Sequence, residues 1–154
     1  MKKTIIIISL FLTALVSFGQ VTISGHVYND ANGLTDLQIN GSGGPYNITN
    51  GMNVYLLDTS DNHIIQGIHA VFDTYTFTNV PVNTTYKVVI SWLIQCDEYD
   101  TFTQTYLPPG WLLVGENLGS GPLSGTDGTR DGMLLIEVGT DNITEANFGI
   151  KLAN

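Results

Sequence analysis

From residue 21 to residue 150 the chain alternates apolar and polar side chains in short runs. This period of two is typical of strands with one face buried and the other in water. Glycine, proline, asparagine and aspartate separate the runs, and these residues favour turns. The pattern predicts no helix longer than one turn, and it predicts strands at 21–27, 52–56, 64–72, 75–80, 86–94, 107–114, 134–138 and 146–150.

About eight strands in a chain of this size favour one antiparallel β-sandwich, whose two inner faces take up the alternating apolar positions. Two prolines precede Trp111, and this predicts an edge strand because proline donates no ladder hydrogen bond. Residues 115–131 are rich in glycine and are predicted as loop. The cleanest alternation, expected to be a central strand, consists of Tyr86, Val88, Ile90, Trp92 and Ile94.

Residues 1–19 have the composition of a secretory signal peptide. Lys2 and Lys3 are followed by an apolar run from Ile5 to Val16, and small residues then precede Gln20. We expect cleavage between Gly19 and Gln20, which leaves residues 20–154 as one β-sandwich domain. The alternative is a membrane anchor, but the apolar run is shorter than the roughly 20 residues that a spanning helix needs. The sequence therefore predicts a secreted or cell-surface protein with no membrane insertion after cleavage.

Charge narrows the classes of partner. Residues 20–154 carry three basic and fourteen acidic side chains, so the net charge is 3 − 14 = −11. Nucleic acid and anionic membranes attract positive surfaces, so neither is an expected partner. The chain has one cysteine, Cys96, so no internal disulfide can form and stability must come from the core or from a bound metal.

The first candidate site follows the first strand. Asp30, Asn32 and Asp36 place side-chain oxygens at relative positions 1, 3 and 7 of a loop. Calcium takes six to eight oxygens from carboxylates, carbonyls and water, so these residues are candidate calcium ligands. The loop is not an EF-hand, which needs glycine at position 6 and glutamate at position 12 where this chain has Thr35 and Gly41. The alternative is an Asx-rich turn in which Asp30 and Asn32 bond their own backbone.

Two later loops carry further acidic clusters. Asp127 and Asp131 flank Arg130 in a glycine-containing loop, and they are a second pair of candidate metal ligands. The alternative for this pair is local ion pairing with Arg130. A third cluster comprises Asp97, Glu98 and Asp100, which are candidate metal ligands or, alternatively, solvated turn acids.

Catalysis and glycan binding leave weaker patterns. The sequence has no G-x-S-x-G motif, and Ser124 lies in a glycine-containing loop without that spacing. We therefore predict no catalytic residues.

Trp111, with Tyr99 and Tyr106, would form a stacking platform for sugar if its ring is exposed. The alternative is that Trp111 packs over the end of the sandwich.

Several motifs in order resemble the B-type repeat domain of serine-aspartate-repeat surface adhesins, and also the related collagen-adhesin B-type and carboxypeptidase-regulatory-like modules. The segment from Ser24 to Asp36 is similar to the opening of those domains. The later matching segments are Val54 to Asp58, Tyr75 to Phe77, Asn79 to Pro81, Tyr86 to Val89, Leu107 to Trp111 and Asn147 to Ile150.

This resemblance implies an immunoglobulin-like or transthyretin-like sandwich that acts as a spacer or ligand-presenting module outside a bacterial cell. It also implies calcium in the first loop. Some collagen-adhesin relatives carry an isopeptide bond between a first-strand lysine and a last-strand asparagine. Here His26 stands in the first strand and no lysine does, so we expect no such crosslink. The chain also shows no sorting motif after Lys151, which suggests a single exported domain or a piece of a longer protein.

The sequence thus leaves three functions in order of preference. The first is an exported, non-enzymatic adhesin-type module for cell-surface or matrix interaction, with calcium as its candidate cofactor and an extracellular protein or glycan as its partner. The second is a carbohydrate-binding module. The third is an exported hydrolase. The identity of the ligand and the oligomeric state do not follow from the sequence.

Overall fold

A computed structural model describes residues 19–43, 51–70, 73–94, 101–122, 126 and 128–153. The predicted signal peptide, apart from Gly19, lies outside these residues. Among the described residues no helix is long and apolar enough to cross a membrane. The structure consists of a 3₁₀ turn at Gly33–Asp36 and eight strands: β1 (Gln20–Asn29), β2 (Met52–Asp58), β3 (Ile64–Ala70), β4 (Thr74–Pro81), β5 (Thr84–Ser91), β6 (Trp111–Leu118), β7 (Met133–Val138) and β8 (Ala146–Leu152).

The strands form two four-stranded sheets with the orders β4-β1-β8-β6 and β3-β2-β5-β7. Neighbouring strands are antiparallel except for β1 and β8, which run parallel with Val27 beside Phe148. The two sheets enclose one core, so the predicted all-β, immunoglobulin-like sandwich is confirmed. The central position of β5 and the edge position of β6 are also as predicted.

The core lies between the two sheets, where the alternating apolar residues meet. In β7, Leu134, Ile136 and Val138 are buried while Leu135 and Glu137 face solvent. This burial supplies the main driving force for folding, at about 25 cal/mol for each Å² of apolar surface removed from water. The largest fully buried side chains include Phe77, Phe148, Ile23, Leu56, Ile90 and Met52.

A second, smaller cluster covers the outer face of the β2–β5 sheet. Phe102 packs there with Tyr55, Leu57, Ile64 and Val89, so β2 is buried on both faces. The N–H of Phe102 donates to the Asn62 carbonyl at 2.9 Å, which fixes the covering segment. A strand covered on both sides shows no clear alternation of burial, and the sequence pattern therefore predicted only one buried face of β2.

Two predicted boundaries are wrong. β5 ends at Ser91, and Ile94 is 71% exposed although the alternation continued through it. β6 runs to Leu118 instead of ending at Val114, because an additional residue in this strand changes the register opposite β8. This change turns Glu116 towards the interior, where it is 1% exposed. Because a charged residue occupies an inward-facing position there, the apolar–polar alternation stops, and the sequence pattern therefore predicted a loop.

Candidate functional site

The loop after β1 holds a buried carboxylate. Asp30 follows β1 directly, its N–H donates to the Ile150 carbonyl at 2.8 Å, and its side chain is fully buried. One oxygen, Oδ1, accepts a hydrogen bond from Ser42 Oγ at 2.9 Å. The other, Oδ2, is buried without a hydrogen-bond partner among the described residues. Such an oxygen is costly to keep charged, because burial removes it from water.

The pKa of Asp30 reflects this environment. The pKa of Asp30 is raised to about 6; burial is the largest cause, and the nearby Asp36 carboxylate also raises it. The Ser42 hydrogen bond and the charge of Lys151 act in the opposite direction. Asp30 therefore lies near a cation but is not fully compensated by it.

Two glycines give this loop its place against the sheet. Gly149 in β8 lies opposite Gly115 in β6. A Cβ on Gly149 would lie 3.1 Å from Ile39 Cδ1 and 3.3 Å from Asp30 Oδ2. The loop therefore packs closely over Gly149, and a larger residue there would require Ile39 and Asp30 to shift.

Asp36 has different surroundings. Its Oδ2 accepts the amide N–H groups of Asn32 and Asn40, each at 2.9 Å, and its Oδ1 accepts the Gln38 N–H at 3.1 Å. These bonds lower the pKa of Asp36, with Asn40 as the largest cause. The bond to Gln38 is an Asx turn at Asp36. Asp30 instead bonds Ser42, and Ser42 Oγ also accepts the Asn32 backbone N–H at 3.2 Å.

The oxygens of this loop are candidate ligands for a hard cation. Among the described residues no group of three histidine, cysteine or acidic side chains is placed to hold a metal. Calcium, however, also takes amide, hydroxyl and carbonyl oxygens. Asn32 Oδ1, like Asp30 Oδ2, is buried without a hydrogen-bond partner within the described part of the chain.

The second acidic loop lies close to the first. A cavity of about 260 Å³ separates them, with Leu34 and Leu37 on one side and Thr129 and Arg130 on the other. Glu116, which the sequence analysis placed in a loop, lines this cavity and accepts the Gly132 N–H at 3.3 Å. Asp131 Oδ1 accepts the Met133 N–H at 3.1 Å. Asp127 lies outside the described residues, as do Asp97, Glu98, Asp100, Cys96 and Ser124.

The aromatic residues proposed as a sugar platform are only partly described. Trp111 is half-buried and packs against the core, and Tyr106 is 37% exposed. Tyr99 lies outside the described residues. The structure thus shows Trp111 packed against the core at the start of β6, and a platform that includes Tyr99 falls outside the described residues.

A different aromatic hollow was missed by the sequence analysis. Asn53, His69, Trp92, Leu93 and Ile94 line a hollow of about 610 Å³ where β2 begins and β3 and β5 end. The Asn53 amide donates to the Trp92 carbonyl at 3.3 Å, and its oxygen lies 3.0 Å from His69 Nδ1. The strand pattern that continued through Trp92 and Ile94 hid this hollow, since it assigned both residues to the core.

No protein-family description matches the chain, and no curated protein is significantly similar in sequence.

Proposed function

We propose that the protein is an exported, non-enzymatic module of adhesin type that interacts at a cell surface or with extracellular matrix, and that calcium stabilises its first loop. The observation that carries the calcium part is the buried Asp30 carboxylate with an unpaired oxygen. The order of the motifs, the signal-like residues 1–19 and the immunoglobulin-like sandwich support the adhesin part.

The path of the chain suits a spacer or presenting module. Because β1 and β8 are parallel neighbours, β1 begins at one pole of the sandwich and β8 ends at the other. β1 has 10 residues, which span about 33 Å at the usual strand rise. With the predicted cleavage before Gln20, β1 begins at the new N-terminus, and a segment joined after β8 would leave from the opposite pole.

Both candidate sites lie at the pole where β1 and β8 end and β2 begins. The Asp30 loop follows β1 directly, and the Trp92 hollow lies beside the start of β2.

A binding screen tests the proposed role. Residues 20–154, with calcium present, are applied to immobilised collagen, fibronectin, fibrinogen and a set of bacterial and plant polysaccharides. We expect saturable binding to a matrix protein that chelation of calcium weakens. Saturable binding to none of the proteins, with turnover of a polysaccharide instead, contradicts the proposal.

Carbohydrate binding is the second candidate, and the Trp92 hollow favours it. Aromatic faces stack on sugar rings, while histidine and asparagine supply hydrogen bonds. In this case the same screen shows retention on a polysaccharide, and His69→Ala reduces that retention at least tenfold. His63→Ala is the matched control, because His63 lies at the opposite end of β3 from His69.

A further inference from the structure

The edges of the two sheets are not protected equally. β4 and β6 are the edge strands of one sheet, and β3 and β7 are those of the other. Three of these edge strands contain a β-bulge, that is, one residue more than the strand they pair with. The bulged strands are β4 beside β1, β3 beside β2, and β6 beside β8. Bulges twist an edge away from further pairing and are one of the ways in which proteins block it. Three of the four edges in the described sheets therefore carry a bulge.

β7 is the edge without such protection. Its six residues pair with β5 in unbroken register, from Met133 opposite Val89 to Val138 opposite Thr84. The strand contains no proline, glycine or lysine, and Leu135 at its centre is 54% exposed. A flat edge strand with an exposed apolar centre is a ready template for another strand.

The register shows which backbone groups of β7 face away from β5 among the described residues. The Ile90 N–H donates to the Gly132 carbonyl at 3.1 Å, so Gly132, Leu134 and Ile136 face β5, and the alternate residues face the open edge. The bond from Met133 N–H to Asp131 Oδ1 agrees with this assignment. The N–H and carbonyl groups of Leu135 and Glu137 thus point towards an additional strand.

The strand is complementary to itself. If two copies of β7 pair antiparallel about Leu135, each Leu135 lies opposite its symmetry mate and each Glu137 lies opposite Met133. The two exposed leucines then cover each other, and the two Glu137 carboxylates are kept apart.

We propose that β7 is a homodimerisation edge, which pairs antiparallel with β7 of a second copy about Leu135 and joins the two β3-β2-β5-β7 sheets into one eight-stranded sheet. The contact is small for a protein interface, so we expect a reversible dimer with a dissociation constant of about 10–100 µM. Since each copy carries a net charge of −11 after signal removal, salt should strengthen the dimer by screening repulsion.

Sedimentation of residues 20–154 between 5 and 500 µM (on the order of the affinity range above) tests the proposal. We expect a monomer–dimer equilibrium that Leu135→Lys weakens at least tenfold. Leu112→Lys is the matched control, because Leu112 is also about half exposed but lies on the bulged edge strand β6. It should leave the equilibrium unchanged. Thermal melts of both variants verify that the fold is retained.

Crosslinking tests the register. In a Cys96→Ser background, Leu135→Cys should form an intermolecular disulfide at least tenfold faster than Leu112→Cys, since residues directly opposite in antiparallel strands have Cα atoms about 5.5 Å apart. A chain that stays monomeric throughout, or that dimerises equally well with Leu135→Lys, overturns the proposal. In the first case the open edge would instead suit an extended segment of another protein.

Discussion

Replacing Gly25 by alanine should destabilise the fold by more than about 3 kcal/mol, the upper range of overpacking effects. β1 passes so close to the start of β8 that a Cβ on Gly25 would lie 1.9 Å from the Ala146 carbonyl oxygen. The obstacle is backbone, so no side chain can rotate away. Tyr75 packs at the same point, where its hydroxyl donates to the same carbonyl oxygen. The substitution must therefore separate two strands of the sheet.

Denaturant unfolding of residues 20–154 measures this effect. Gly139→Ala is the control, because nothing lies within 4 Å of a Cβ at that position and its backbone is not in the left-handed region. Gly139→Ala should be neutral or stabilise slightly, since alanine reduces the freedom of the unfolded chain. Equal midpoints for the two variants would show that β1 and β8 do not approach as described.

Replacing Asp30 by asparagine should stabilise the calcium-free protein at pH 7.5 by up to about 3 kcal/mol. The pKa of Asp30 is raised from 3.8 to about 6 in the folded state, and one pKa unit corresponds to about 1.4 kcal/mol. The folded state therefore binds the Asp30 proton more tightly than the unfolded state does. This contribution is fully present below about pH 4 and is lost as the pH rises through 6. Asparagine cannot ionise and avoids that loss.

The sign of this effect can be checked against Asp36. Hydrogen bonds from Asn40, Asn32 and Gln38 lower its pKa, so its charged form stabilises the fold at neutral pH and this stabilisation is lost in acid. With calcium chelated, urea midpoints from pH 4 to pH 7.5 should show Asp30→Asn gaining on the wild type as the pH rises. Asp36→Asn should be less stable than the wild type by a nearly constant amount over the same range, because the pKa of Asp36 is lowered below 3.8 and its titration falls at more acidic pH. A constant difference for Asp30→Asn across the pH range would contradict the buried carboxylate.

The sequence predicts a strand well when one face of that strand is buried and the other is in water. β7 and β1 are of this kind, and their alternation predicted both their inner residues and their positions. The burial of β2 and of the end of β6 was harder to predict, since it depends on contacts with distant parts of the chain or on a bulge. Phe102 covers the outer face of β2, and the bulge in β6 turns Glu116 inward. Neither contact leaves a local pattern.

The candidate site divides in the same way. The acidic loop and its position after β1 were predictable, because the residues that form it are adjacent in sequence. The burial of Asp30 was not, since it depends on close packing against Gly149, more than a hundred positions further along the chain. The choice between a metal loop and an Asx turn was also open at the sequence level. The structure places the Asx turn at Asp36 and the unpaired carboxylate oxygen at Asp30.

A buried carboxylate that lacks a partner connects these observations to the proposed calcium. A divalent cation at Asp30 Oδ2 would remove the energetic cost of its charge, so calcium and a proton should compete for this group. Calcium should therefore stabilise the fold above pH 6 and lose its effect as Asp30 becomes protonated.

The most direct test is a thermal melt of residues 20–154 in about 5 mM calcium and in chelator, at pH 7.5 and at pH 5. For a site in the range of extracellular modules, the gain should be about 1–2 kcal/mol, or roughly 3–10 °C, at pH 7.5. The gain should shrink at pH 5, vanish in Asp30→Asn and persist in Asp131→Asn. Identical melts with calcium and chelator at pH 7.5 would contradict the account.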